Sequence, residues 1–260
     1  MAVVFATTLC AQSRAPQSRR EAKQQKKIER RERINELARL EEEGEIVYNK
    51  HGVFSLKLAT DGYGLGYEYG RFKSNRKSLL FNFELSEKKH PKEKREGFFD
   101  PGHLRVNYLA FGKVNTFYQA RFGAAMQRVM GGKGNKNGVS VSAVYGGGLT
   151  LGLVKPYIIQ AANQQGDLID SRYPEIIEQD YIEVKAKGLA GGWNELKVRP
   201  GAYAKTGLRF DYGRLNETVT AIEVGLSAEY YAQKIAQMLY SNDKQFFFNA
   251  YVAILLGKRK

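Results

Sequence analysis

Taken two residues at a time, the last third of the chain separates into two sets. Ala202, Ala204, Thr206, Leu208, Phe210 and Tyr212 alternate with Tyr203, Lys205, Gly207, Arg209 and Asp211. Thr220, Ile222, Val224, Leu226, Ala228 and Tyr230 likewise oppose Val219, Ala221, Glu223, Gly225, Ser227 and Glu229. Phe246, Phe248, Ala250, Val252, Ile254 and Leu256 oppose Phe247, Asn249, Tyr251, Ala253, Leu255 and Gly257. Successive side chains of a strand point to opposite faces. Each run therefore predicts a strand with one apolar face and one face of charges and glycines. Lipid outside and a polar, closed interior produce that pattern. A soluble antiparallel sheet also alternates, but usually carries its charges on the broad outer face.

Five earlier runs alternate in the same way. Phe54, Leu56 and Leu58 oppose Ser55, Lys57 and Ala59; Tyr63, Leu65, Tyr67 and Tyr69 oppose Gly64, Gly66, Glu68 and Gly70. Leu79, Phe81, Phe83 and Leu85 oppose Leu80, Asn82, Glu84 and Ser86. The fourth run sets Tyr118, Phe122 and Met126 against Phe117, Gln119, Arg121 and Gln127, and the fifth sets Tyr145, Leu149 and Leu151 against Ser142, Gly148 and Thr150. Eight strands is an even number, as single-chain bacterial barrels require. With the N-terminus in the periplasm, the periplasmic turns 73–76, 131–138 and 213–218 are short. The outward connections are 60–62, 88–109, 157–200 and 233–244, and three of the four are long. Outer-membrane barrels sort their loops this way. The predicted fold is all-β: an eight-stranded antiparallel transmembrane β-barrel with an N-terminal charged helical arm. Segments 88–109 and 157–200 read as loops, the second with an acidic middle and Trp193, and Pro156 ends the fifth strand.

The inward set carries Lys57, Glu68, Glu84, Arg121, Lys205, Arg209, Asp211, Glu223 and Glu229. An eight-stranded barrel is narrow and fills with side chains. Charges inside it must pair, because an unpaired buried ion is costly. The expectation is an interlocked ion network; the alternative is a narrow polar conduit. An aromatic girdle is expected from Tyr230, Tyr231, Phe246 and Phe248 at the outer rim and from Phe72 and Tyr212 at the inner rim.

Composition agrees with a curved sheet: Gly 27, Tyr 16 and Phe 14 are abundant, Pro 6 is scarce, and mean hydropathy is only −0.47. The lone cysteine, Cys10, excludes an intrachain disulfide and a cysteine metal site. Residues 1–11 (VVFATTL, then Cys10-Ala11) read as the rear of a secretory signal cut after Ala11, with its basic start missing; a lipoprotein role for Cys10 fits less well because Leu9 is bulky. The net charge of +14 is concentrated in an arm over 12–49, RREAKQQKKIERRERINELARLEEE at its centre. This arm has helix formers and a thin apolar stripe, so it is either a solvated helix or one that touches a partner or anionic lipid. Nucleic acid is not an expected partner, because no aromatics interleave the basic residues.

Catalytic signals are weak. His51 precedes the first strand, and His90 and His103 share an outward loop, where each reads as a solvated residue. His103 near an outer rim suits a lipid-modifying barrel enzyme, but no serine and acid are marked by spacing. Gly131–Gly138 lacks the Lys-Ser/Thr of a phosphate loop, and Gly62, Gly64 and Gly66 lie on a strand, where dinucleotide binding needs a helix. The acidic stretch lacks EF-hand spacing, and Asn216 heads a sequon in a short turn. No catalytic residue, cofactor or metal is expected.

Residues 50–260 resemble small outer-membrane β-barrel proteins of the Bacteroidota kind, through the Ala-Gln signal end, the charged arm, GNKNGVSVS, VRPGAYAKTGLRFDYGR and the terminal strand closing in LLGKRK. The resemblance implies an outer-membrane, non-enzymatic structural or accessory protein. Its expected partners are outer-membrane lipid and another envelope protein, engaged through the arm or the outer loops. A narrow channel and a lipid-modifying enzyme are the alternatives. The chain departs from many such barrels by ending in Lys258-Arg259-Lys260 instead of an aromatic residue.

Overall fold

The computed structural model describes residues 19–42, 49–74, 76–100, 105–132, 138–162, 165, 167–179, 182–188, 191–213 and 218–259. The expected signal segment 1–11, the sequon residue Asn216 and His103 lie outside them. The chain forms two units, Met1–Glu45 and Ile46–Lys260. Among its described residues the first holds one helix, α1 (Arg19–Glu42), built from strong helix formers without Gly or Pro.

The second unit begins with β1 (Lys50–Ala59), β2 (Gly62–Ser74) and β3 (Lys77–Lys88). A hairpin of β4 (Arg95–Asp100) and β5 (Arg105–Ala110) precedes β6 (Asn115–Gly131) and β7 (Ser140–Pro156). Then come β8 (Ile158–Ala162), β9 (Leu168–Arg172), a short helix α2 (Tyr173–Gln179) and β10 (Ile182–Ala186). The chain closes with β11 (Lys197–Asp211), β12 (Thr218–Ile235) and β13 (Lys244–Arg259). Eight of these strands form a closed barrel in the order β1-β13-β12-β11-β7-β6-β3-β2. All neighbours run antiparallel, and the first strand seals against the last from His51↔Arg259 to Ala59↔Tyr251.

Parity decides which solvent each side chain meets. Odd residues of β1, β6, β11, β12 and β13 turn inward, as do even residues of β2, β3 and β7. The other faces present Phe54, Leu65, Phe83, Phe122, Leu149, Leu208, Val224 and Val252, one from each strand and all exposed. Phe54 and Leu149 are both 70% exposed. A continuous apolar ring would forfeit about 25 cal/mol per Å² if left in water, and a monomer in water rarely exposes so large a patch. Strands of 10 to 18 residues meet the roughly 9–11 residues that a tilted span requires. The barrel therefore crosses a membrane with its strands. Among the described residues no helix is long and apolar enough to do so.

The sequence reading missed structure in two connections. Segment 88–109 contains the β4–β5 hairpin, paired from Arg95↔Ala110 to Asp100↔Arg105. Segment 157–200 holds a three-stranded sheet, β10-β8-β9, together with α2. Ile159, Ala161, Tyr173 and Ile176 from that segment bury against Leu109, Ala110 and Tyr157. These apolar residues are spread thinly among acids, so neither period stands out locally. Pro200 is a strand residue and not a loop boundary. It pairs with Leu151 on β7, while pairing to β12 starts only at Gly201. The proline thus sits where β11 has a neighbour on one side alone.

Candidate functional site

The lumen holds two ion clusters, each joining strands on opposite walls. In the first, Arg209 on β11 grips Glu68 on β2 with both terminal nitrogens, at 2.7 and 2.8 Å. The same guanidinium donates to Glu223 on β12 at 2.9 and 2.6 Å. Tyr251 donates to the other Glu223 oxygen at 2.8 Å, and Lys205 stands 3.7 Å from it. His51 completes the group, 3.4 Å from Glu68. It is a buried residue of β1, not a solvated one preceding the strand, because its odd position turns it inward. Two cations meet two carboxylates here, so each ion leaves water with a partner.

In the second cluster Glu84 lies between Lys57, at 3.2 Å, and Arg121. Arg121 also reaches Glu229 across the lumen at 3.2 Å. Lys88 joins the set, 2.7 Å from both Glu229 and Asp61. The ninth charge of the inward set, Asp211, pairs with Arg259 and accepts the Gly213 N–H at 2.8 Å. Lys88, Asp61, His51 and Arg259 escaped the sequence reading because they stand at strand ends, where alternation fades into turn chemistry. The signal was present for three of them: Lys88 continues the even series of β3, His51 the odd series of β1 and Arg259 the odd series of β13.

Beyond the second cluster an aromatic plug fills the lumen. Phe117, Tyr231 and Phe247 meet edge-on or tilted at 5.5 to 5.7 Å. The hydroxyl of Tyr231 accepts from Gln119 at 2.6 Å. Tyr231 is 0% exposed, which overturns its place in the girdle; it shares the inward parity of Glu229, not the outward parity of its neighbour Tyr230. Phe72 also faces inward, against His51 at 5.3 Å. Tyr212, Tyr230, Phe246 and Phe248 are exposed on the outer wall. Tyr118 belongs to that wall as well, with Trp193 stacked on it at 6.0 Å. Spaces of ≈ 10 and ≈ 30 Å³ lie beside the ion clusters, room for about one or two waters.

Interior glycines make the tyrosines fit. A Cβ on Gly225 would lie 2.8 Å from the Tyr251 hydroxyl, and one on Gly152 would lie 2.9 Å from the ring of Tyr231. Gly123 meets the Tyr203 hydroxyl in the same way, at 2.4 Å. The glycines of the charged face are therefore seats for flat rings in a crowded lumen.

Over the loop end of the barrel, three long connections knit into one folded cap. Leu239 donates to Gly112 at 2.8 Å, Val114 to Gln237 at 3.0 Å, and Tyr157 to Val114 at 2.9 Å. Lys113 pairs with Glu93 at 2.8 Å. Beneath them lies the cluster of Leu109, Ala110, Tyr157, Ile159 and Tyr173. The acidic residues of the cap are used locally: Glu175 accepts from Ser171 and Arg172, and Asp170 from Lys187. The Lys187 bond holds the Asp170 carboxyl below its usual range. Among the described residues no His, Cys, Asp and Glu group could hold a metal. Glu87 and His90 have metal-ligand spacing but diverge, since Glu87 accepts from Tyr63 at 2.6 Å on the outer wall. Tyr108, Phe111 and Tyr240 are exposed on the cap.

His90, read from sequence as solvated, is buried beside Ser241. Its Nδ1 accepts the Lys92 N–H at 3.2 Å, so the ring proton resides on Nε2, 3.1 Å from Ser241 Oγ. In that tautomer the ring donates to the hydroxyl and cannot take its proton as a general base. Burial, then Lys244 and Lys92, lower the pKa of His90 below 6.5, while Glu93 opposes them. The docked loop thus binds fewer protons than the undocked one. The stability that the neutral ring gives the docked loop is full above the ordinary imidazole range and declines as pH falls toward the depressed value. Amide exchange over 236–243, corrected for intrinsic rate, should be faster at about pH 5 than at about pH 7.5. His90→Gln should flatten the difference, and equal wild-type rates would refute the assignment.

No protein-family model matches the chain, and no curated protein matches it. Among the solved structures similar to it are three small barrels. Ail, the attachment invasion locus protein of Yersinia pestis, is 12% identical over 82% of this chain and 100% of its own, with a TM-score of 0.35. Neisserial surface protein A is 10% identical over 82% and 97%, with a TM-score of 0.38. The N-terminal β-barrel domain of Pseudomonas aeruginosa OprF is 8% identical over 81% and 98%, with a TM-score of 0.36. The barrel assignment itself comes from the closed pairing of this chain's own strands.

Proposed function

We propose that the protein is a non-enzymatic barrel of a Gram-negative outer membrane, of the Bacteroidota kind its sequence resembles. It is exported by its 1–11 segment and engages an envelope or extracellular protein through its cap. The observation that carries this reading is the pairing of a filled lumen with an ordered cap: the ion clusters and the Phe117–Tyr231–Phe247 plug occupy the space a solute would need, while the long connections form a folded surface bearing Tyr108, Phe111 and Tyr240. Exposed aromatics of this kind anchor protein interfaces.

Two measurements test it. In planar bilayers the purified barrel should give no large steady conductance steps; such steps would favour transport. A photo-crosslinker at Tyr240 should give one discrete adduct in native membranes that a crosslinker at the lipid-facing Ile254 does not. Adducts at neither position, or the same at both, would count against recognition by the cap. Unchanged lipid A mass spectra in cells that express the protein would speak against the lipid-modifying alternative.

A further inference from the structure

Among the described side chains of α1, residues 21–32 and 35–36, the charges are sorted by face. At about 100° per residue, Lys23, Lys26, Lys27, Arg30 and Arg31 project within an arc of about 140°, and Glu21, Glu29, Glu32 and Glu36 within about 80° on the opposite side. All nine are exposed. Between residues 21 and 32 no apolar side chain enters the basic arc; Ile28 lies outside it and is 55% exposed.

That arrangement is unfavourable for a helix surrounded only by water. Lys23–Lys26, Lys23–Lys27, Lys26–Arg30, Lys27–Arg30 and Lys27–Arg31 are like-charge neighbours at i,i+3 or i,i+4, and each weakens an isolated helix. Between residues 21 and 32 Lys26–Glu29 is the sole opposite-sign pair at that spacing; further along, the sequence interleaves, with Glu29–Arg33 and Arg33–Glu36. A solvated helix would do better with its charges interleaved. Sorting them is useful when a broad anionic surface meets one side and water the other.

We infer that α1 lies flat on anionic phospholipid headgroups through Lys23, Lys26, Lys27, Arg30 and Arg31, with its carboxylates turned to water. The inference rests on the reading that the barrel sits in a membrane. A lipid surface fits better than a protein groove, because between residues 21 and 32 the basic arc has no apolar anchor to bury. It fits better than a second copy of the helix, because exposed ion pairs without an apolar seam hold helices together weakly. A planar leaflet engages all five cations at once, each adding about fivefold in affinity at low salt.

The test uses the full chain in nanodiscs of phosphatidylcholine, alone or with a third replaced by phosphatidylglycerol. A broad-specificity protease is applied, and cleavage within α1 is timed against survival of the barrel. Cleavage should slow at least tenfold with the anionic lipid, and high salt should abolish the protection. Protection should vanish in K23Q/K26Q/K27Q/R30Q and persist in E21Q/E29Q/E32Q. Equal rates in both lipids would overturn the inference. Protection that follows the number of protein copies per disc, and not lipid charge, would overturn it in favour of helix self-association. Digestion of the barrel in both lipids would bring down the membrane assignment, and this inference with it.

Discussion

Arg209→Leu is expected to destabilise the barrel by about 3–5 kcal/mol, the largest effect of any single substitution in the lumen. Arg209 is 3% exposed and bonds both Glu68 and Glu223. Removing it leaves two carboxylates facing each other with Lys205, His51 and Tyr251 as their remaining neighbours. Neither carboxylate can reach bulk water without opening the wall. Arg209→Lys should recover only part of the loss, because an ammonium cannot serve Glu68 bidentately and Glu223 at the same time. Denaturant midpoints in lipid vesicles, read by the heat-dependent shift in gel mobility, measure the change. A loss below about 0.5 kcal/mol would mean that the lumen is wet enough to screen its own ions.

Gly225→Val is expected to cost about 3 kcal/mol by a different route. The added Cβ would sit 2.3 Å from the Thr206 carbonyl oxygen and 2.8 Å from Tyr251. The carbonyl belongs to the barrel ladder and cannot retreat, so the strand pair must part or Tyr251 must leave its bond to Glu223. A cycle with Tyr251→Ala separates the two. If the ring is the main obstacle, the double variant should be less destabilised than the sum of the singles. Strict additivity would assign the cost to the backbone contact alone.

These two sites show how far parity reaches. Arg209, Glu68 and Glu223 could be assigned to one compartment by counting in twos, since a lipid-facing charge is so unfavourable that inward and outward positions rarely mix. Their partners could not. Glu68 meets Arg209 at a separation of 141 residues and across the barrel's diameter, and nothing local encodes that distance. Tyr231 shows the opposite failure: its parity was visible, but adjacency to Tyr230 suggested a shared rim. The cap was hidden for another reason. Its strands of five or six residues are too short for a period to stand above turn-forming neighbours. Charge sorting on α1, by contrast, is legible as soon as the arm is projected at helical spacing.

The cross-lumen bonds bear on how the molecule is made. Arg209–Glu68, Arg121–Glu229 and Gln119–Tyr231 each tie strands that are not ladder neighbours. A half-built sheet has no such bonds, and its charged face stays committed to water. Zipping the strands pairwise therefore yields little until the ring shuts, when all the bonds form together. Ring closure is thus the step that gives the inward charges their partners.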